Sequence, residues 1–151
     1  MMKNRETANQ AVGRPHDHAT DRQAHHPCFD ASKIDDNRFA FDPRLGRVKR
    51  FIEQHYSEPL PLGTVAEIAG LEKSYFSRYF HQKIGVCYHD WLHWVRVNHA
   101  IQLMNSRDMP VTQIAFAVGY QDLRTFERAF EKCTGDCPNA MKKKVLQAKF
   151  Q

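Results

Sequence analysis

The sequence predicts an all-α fold: two helix-turn-helix subdomains joined by a long linker helix, about seven helices in all. Three observations predict it. First, residues 64–85 and 113–135 echo one pattern. Ala66 aligns with Ala115, Gly70 with Gly119 and Leu71 with Tyr120 at a shift of 49; Phe76, Phe80 and Gly85 align with Phe126, Phe130 and Gly135 at a shift of 50. Each copy reads as a short helix, a glycine turn and a second amphipathic helix. Second, from Arg44 onward apolar residues recur at three- and four-residue spacing, the period of a helix with one buried face. Third, residues 88–105 contain neither Gly nor Pro, a run that forms a helix of about 27 Å.

Residues 1–43 are polar and His-rich, with little apolar periodicity, and are expected to be a disordered tail; Phe39 and Phe41 are its candidates for docking on the helical domain. The folded domain is expected over 44–145, with a C-terminal tail at 146–151. Val48, Phe51, Ile52 and Tyr56 form the stripe of the first helix, and Pro59 and Pro61 end it. The first unit, about 62–85, opens with Thr64 as a cap and places Gly70 in a turn that needs positive φ. Its second helix, from about Lys73 to Lys83, is expected to bury Phe76, Tyr79 and Phe80 and stop at Gly85. After the linker helix, Ser106–Pro110 breaks the chain. The second unit, about 111–135, buries Val111, Ile114, Ala115 and Val118, turns at Gly119, and caps its second helix with Asp122. Phe126, Ala129 and Phe130 face inward there. Cys137-Pro138 opens a last short helix, with Lys142, Lys143 and Lys144 on or just after it.

Charge narrows the partners. Residues 1–43 hold 6 Lys/Arg and 7 Asp/Glu, a net −1, whereas 44–151 hold 16 and 10, a net +6. The basic balance belongs to the segment with the echo, which favours nucleic acid first and an acidic membrane surface second. The four cysteines, Cys28, Cys87, Cys133 and Cys137, form no CxxC pair, so reduced thiols in a cytoplasmic protein are the default. No run of about 18 apolar residues suggests a membrane span, and the N-terminus lacks a signal-peptide core.

At these residues the chain resembles the DNA-binding domain of the AraC/XylS family of bacterial transcription regulators. The resemblance covers Arg47 to Lys144. Its most specific stretch is Ile114 to Pro138, I-A-F-A-V-G-Y-Q-D-L-R-T-F-E-R-A-F-E-K-C-T-G-D-C-P. The first unit matches through Ala66, Ala69-Gly70-Leu71, Ser74-Tyr75-Phe76-Ser77-Arg78 and Phe80; Arg96, Ala100 and Leu103 sit where the family keeps its Arg, Ala and Leu. Glu72, a poor N-cap, replaces the usual Ser cap, Cys87-Tyr88 stands where Ser/Thr and Pro or Phe are common, and Met141-Lys142 stands where Tyr-Arg is usual.

The resemblance implies a sequence-specific regulator, an activator, that puts two recognition helices into successive major grooves as a monomer. In the first such helix Lys73, Ser74, Ser77, Arg78 and His81 face away from the apolar side; Arg78 has the forked donors that suit guanine. In the second, the resemblance places contacts at Leu123, Arg124, Thr125, Glu127 and Arg128. Leu123 suits a thymine methyl and Glu127 a cytosine amine; Arg128 either holds a phosphate or pairs with Glu131. Helix starts at Thr64 and Thr112 would anchor phosphates. Double-stranded promoter DNA is the expected partner, RNA polymerase a further one, and the nucleoid the expected place. No cofactor is expected, and 43 polar residues are too few to supply a small-molecule effector domain.

Two other readings have residues behind them. His16, His18, His25, His26 and Cys28 offer metal ligands, which suggests a DNA-binding or partner-binding regulator whose tail senses a metal; their spacing matches no closed site. An enzyme is disfavoured. Only Cys28 lies upstream of the domain, too few thiols for the zinc-bound cysteine module of alkyl-repair methyltransferases, and no phosphate loop or nucleophile elbow occurs. His89, Asp90 and His93 form a possible cluster on the linker helix, expected to be solvated.

Overall fold

The computed structural model describes residues 29–151. A 3-10 turn, Ala31–Lys33, precedes eight helices: α1 (Asn37–Phe41), α2 (Pro43–His55), α3 (Leu62–Ala69), α4 (Lys73–Ile84), α5 (Tyr88–Ser106), α6 (Val111–Ala117), α7 (Leu123–Thr134) and α8 (Pro138–Lys149). No strand occurs among the described residues. The His/Cys cluster at 16–28 lies outside them.

Two hydrophobic cores share one helix. The first gathers Leu45, Val48 and Ile52 of α2, Val65 and Ala69 of α3, and Phe76, Phe80 and Ile84 of α4. The second gathers Val111, Ile114 and Ala115 of α6 with Phe126, Ala129 and Phe130 of α7. The N-terminal half of α5 gives Tyr88, Trp91 and Leu92 to the first core; its C-terminal half gives Val97, Ala100 and Met104 to the second. Nineteen residues make α5 about 28 Å long at 1.5 Å per residue. Its length lets one rigid element be built into both cores.

Part of the expected tail is folded. Residues 29–42 close over the first core: Phe39 is 4% exposed, lies 5.1 Å from the Trp91 ring and 6.1 Å from that of Phe80, and Phe29 packs on Trp94 at 5.7 Å. The Asp35 amide donates to the Ile84 carbonyl at 2.9 Å. Phe39 docks as expected, but a few aromatic residues in a polar setting have no period, so nothing in the pattern marks the segment around it as folded. Phe41, by contrast, stays 83% exposed. At the other end α8 runs to Lys149, so most of the stretch read as a C-terminal tail is helix.

The helix ends follow cap chemistry, with two corrections. Asp42 accepts from the Arg44 and Leu45 amides and Pro43 takes the first position of α2. The cap of α3 is Pro61, not Thr64; Thr64 sits in the first turn with its amide donating to the Pro61 carbonyl at 3.1 Å. Glu72 does cap α4: its carboxylate accepts from the Ser74 and Tyr75 amides at 3.0 and 3.1 Å. The longer Glu side chain folds back to do what a shorter Ser does, and those N–H groups hold its carboxyl below the usual range.

A seam joins the two units. Arg96, 8% exposed on α5, donates Nε to the Tyr56 carbonyl at 2.7 Å and an Nη to the Glu58 carbonyl at 2.8 Å. Its guanidinium also lies 5.5 Å from the centre of the Tyr120 ring. His93 Nδ1 is 2.7 Å from the Tyr120 hydroxyl, and His99 stacks on Tyr56 at 3.8 Å. The loop after α2 is thus tied through α5 to the turn of the second unit. Gly119 makes the fit possible: φ is 102°, and a Cβ there would lie 2.9 Å from both Ser57 Cα and the Tyr56 carbonyl oxygen.

Candidate nucleic-acid interface

Each unit presents one helix whose inner face is buried and whose outer face is not. On α4, Phe76, Phe80 and Ile84 are sealed in the core. Lys73, Ser74, Arg78 and His81 are exposed and Ser77 is half-buried. Tyr79 departs from expectation. It is partly exposed and donates its hydroxyl to Asp42, because that carboxylate sits at the head of α2 against the flank of α4. Burial raises the Asp42 carboxyl, but the Tyr79 hydroxyl and two amides outweigh it, so the group is held below its usual range.

On α7 the inner face is Phe126, Ala129 and Phe130. Arg124, Thr125 and Arg128 are exposed, while Leu123 and Glu127 are half-buried. Leu123 leans on the second core, leaving part of its side chain outside. Asp122 accepts from both the Thr125 amide and its hydroxyl at 2.8 Å. Thr125 is therefore a cap partner whose hydroxyl proton is already committed. Among the described residues no ion pair engages Arg78, Arg124 or Arg128, and the Arg128–Glu131 pair entertained from sequence is not formed. These guanidiniums stand free to meet an anion. Thr64 and Thr112 lie exposed in the first turns of α3 and α6.

Other charged groups turn out to be structural. Asp90 pairs with Lys132 of α7 at 2.7 Å, a crosslink between α5 and α7. His93 is partly buried against Tyr120 rather than solvated. Burial, then the Arg96 charge, lowers its pKa. The three residues of the possible linker cluster are thus not assembled as one. Lys142 meets Asp108 at 3.2 Å and the Met109 carbonyl at 2.7 Å, and Lys144 meets Asp136 at 2.8 Å. Sequence reading missed Arg96 and Tyr120 as the residues that tie the loop after α2 to the turn of the second unit. The pairing of a central Arg with carbonyls 38 and 40 positions away leaves no periodic signal. Burial pushes the Cys133 thiol up to about 11. Among the described residues no group of three or more His, Cys, Asp or Glu is arranged to hold a metal. Nor is any helix long and apolar enough to cross a membrane.

A family profile described as a helix-turn-helix domain matches residues 65–144. The chain is 31% identical over 97 residues to an uncharacterised helix-turn-helix-type transcriptional regulator of Staphylococcus aureus, spanning 64% of this chain and 13% of that protein. It is 29% identical over 99 residues to the arabinose operon regulatory protein of Escherichia coli, spanning 65% of this chain and 34% of that one. The chain therefore matches well under half the length of these relatives. Among solved structures, the DNA-binding domain of the global transcriptional factor AdpA, crystallised with a target DNA, superposes with a TM-score of 0.67 at 24% identity, covering 73% of this chain and 98% of that one. That likeness is one of fold.

Proposed function

The chain belongs to the AraC/XylS family of helix-turn-helix transcriptional regulators, and on that premise we propose that it binds duplex DNA sequence-specifically as a monomer, placing α4 and α7 in successive major grooves. One observation carries the reading: two capped helices, each with a sealed aromatic face and unpaired outward arginines, are built onto one shared helix. Arg78 and Arg124 are the leading base readers, since a forked donor matches guanine O6 and N7. Ser74, Ser77, Leu123 and Glu127 line the same faces. Lys73, His81 and Arg128 serve the flanking phosphates. Thr125 contributes through the cap it holds, and Thr64 and Thr112, exposed in the first turns of α3 and α6, offer their hydroxyls to the DNA backbone. Helices that enter one face of a duplex in successive grooves sit about 34 Å apart, a helical turn. The AdpA domain bound to its target DNA supports the class of ligand. The activator role, with RNA polymerase as second partner, in the cytoplasm, follows the same family reading.

The test is selection from a random duplex library with the intact chain, then footprinting and sedimentation of the complex. The expected result is one enriched site with two protected major grooves a turn apart and one chain per duplex. Arg78→Ala should lower affinity for that site by about 1–3 kcal/mol and relax one base position. Equal losses on selected and random duplex would remove Arg78 as a base reader; no enriched sequence at all would sink the function.

A further inference from the structure

The outward face of α2 carries a charge pattern that neither reading helix accounts for. Arg44, Arg47 and Arg50 succeed one another at three-residue spacing, all exposed, while Leu45, Val48 and Ile52 of the same helix are buried. The acid on this helix, Glu53, faces Lys49 at 4.0 Å instead. Among the described residues none of the three arginines forms an ion pair. Arg47 alone of them makes a side-chain hydrogen bond, Nε to the Ile68 carbonyl at 3.3 Å. Like charges three residues apart destabilise a helix. Lys132 of α7 and Lys142 and Lys144 of α8 have found acids; this stripe has not.

Its position gives it an occupant. Asp42, the cap of α2, accepts the Tyr79 hydroxyl on the flank of α4, and Arg47 reaches the last turn of α3, which leads into α4. Tyr79 in turn stacks on Tyr75, 48% exposed. The stripe therefore starts beside the Tyr75–Tyr79 flank of the first reading helix. A helix lying in a major groove is bordered on both flanks by phosphate strands. Resting on the proposed DNA-binding function, we infer that Arg44, Arg47 and Arg50 bind the phosphates of the strand that borders the first groove, extending the contact beyond the base pairs α4 reads. Guanidinium forks match phosphate oxygens. Steps of about 4.5 Å along the helix are of the same order as the 3.4 Å axial step between phosphates of one strand. An acidic protein would fit the charge, but the strand is already alongside once α4 is seated.

The experiment compares the wild-type chain with Arg44→Gln/Arg47→Gln/Arg50→Gln on the selected duplex and on a scrambled one, across a salt series. A double variant, Arg44→Gln/Arg50→Gln, keeps the Arg47 bond to α3 in case the triple variant unfolds. Three lost phosphate contacts should flatten the slope of log K against log salt by about 2.7, and the double variant by about 1.8. The advantage of wild type over the triple variant should then shrink about 40-fold between roughly 50 and 200 mM salt. The preference for selected over scrambled duplex should not change. An unchanged slope in a folded variant overturns the inference, the acidic-protein case included. So does a loss confined to the selected sequence. If the wild type prefers no duplex, the functional reading itself fails.

Discussion

Arg96→Met should loosen the two units from each other. The guanidinium makes charged hydrogen bonds of 2.7 and 2.8 Å to the Tyr56 and Glu58 carbonyls, each of a kind that contributes about 1.5–3 kcal/mol. Its approach to the Tyr120 ring at 5.5 Å adds about 0.5–2 kcal/mol. Part of this is offset by the cost of having desolvated the cation. Methionine fills similar volume but leaves both carbonyls without their donor. The expected net loss is about 3–4 kcal/mol, against a total for a domain of about 5–15. At about 3–4 °C per kcal/mol for a domain of this size, Tm should fall by roughly 10–15 °C. Urea unfolding monitored by circular dichroism and by tryptophan emission reads the result; both tryptophans, Trp91 and Trp94, sit on the N-terminal half of α5. The two probes should separate, because the second unit loses the part of its tie to the first that Arg96 supplies. Arg96→Lys keeps the charge but not the fork and should recover about half. A loss under about 1 kcal/mol for Arg96→Met, or full recovery by lysine, would refute the argument.

The geometry sets three further outcomes. Gly119→Ala should destabilise by more than about 2 kcal/mol, because left-handed strain of about 1–2 kcal/mol is joined by backbone collisions at 2.9 Å; Gly70→Ala, whose added Cβ meets nothing within 4 Å, should show the strain alone in chemical denaturation. Burial and the Arg96 charge favour the neutral form of His93 in the folded state. Its folded pKa lies below the unfolded value near 6.5, so stability is full above that value and declines as pH falls through it toward the folded pKa. His93→Gln should flatten the pH 7-to-5 slope of denaturation midpoints, and a slope identical to wild type would exclude the histidine as its source. Phe39→Ala should cost about 3–5 kcal/mol, measured the same way, if residues 29–42 are a true part of the first core; a loss under about 1 kcal/mol would mean the segment only rests on it.

What the sequence disclosed was whatever repeats. The apolar periods of α2, α4 and α7 marked their buried faces, and Gly70 and Gly119 marked turns that require positive φ, as observed at 70° and 102°. Asp122 read as a cap because a short acidic side chain before an amphipathic run has few other uses. Contacts between distant, individually unremarkable residues stayed hidden. Phe39 stood out as a docking candidate but its partners Trp91 and Phe80 did not, and Asp90 finds Lys132 at a separation of 42. Glu72 was read as a poor cap on residue preference, yet its side chain bends back to the amides; preference averages over conformers that this helix start does not allow. For the interface, exposure of Arg78 and Arg124 followed from the burial of their neighbours. Which arginines remain unpaired depended on where each acid lands in three dimensions.

Because α5 belongs to both cores, its residue count also sets an angle. Each residue added to an α-helix advances it by about 1.5 Å and rotates it by about 100°. One residue inserted between Leu92 and Val97 would therefore swing α7 around to a different azimuth relative to α4, not merely push it along. Two residues would bring it nearly to the opposite side. Seven residues, close to two full turns, would bring the azimuth back to within about 20°, and would lengthen the rod by about 10 Å. Such a chain would ask for a different spacing between its half-sites. In a protein of this design the length of one helix is phase information, and it can drift only in steps.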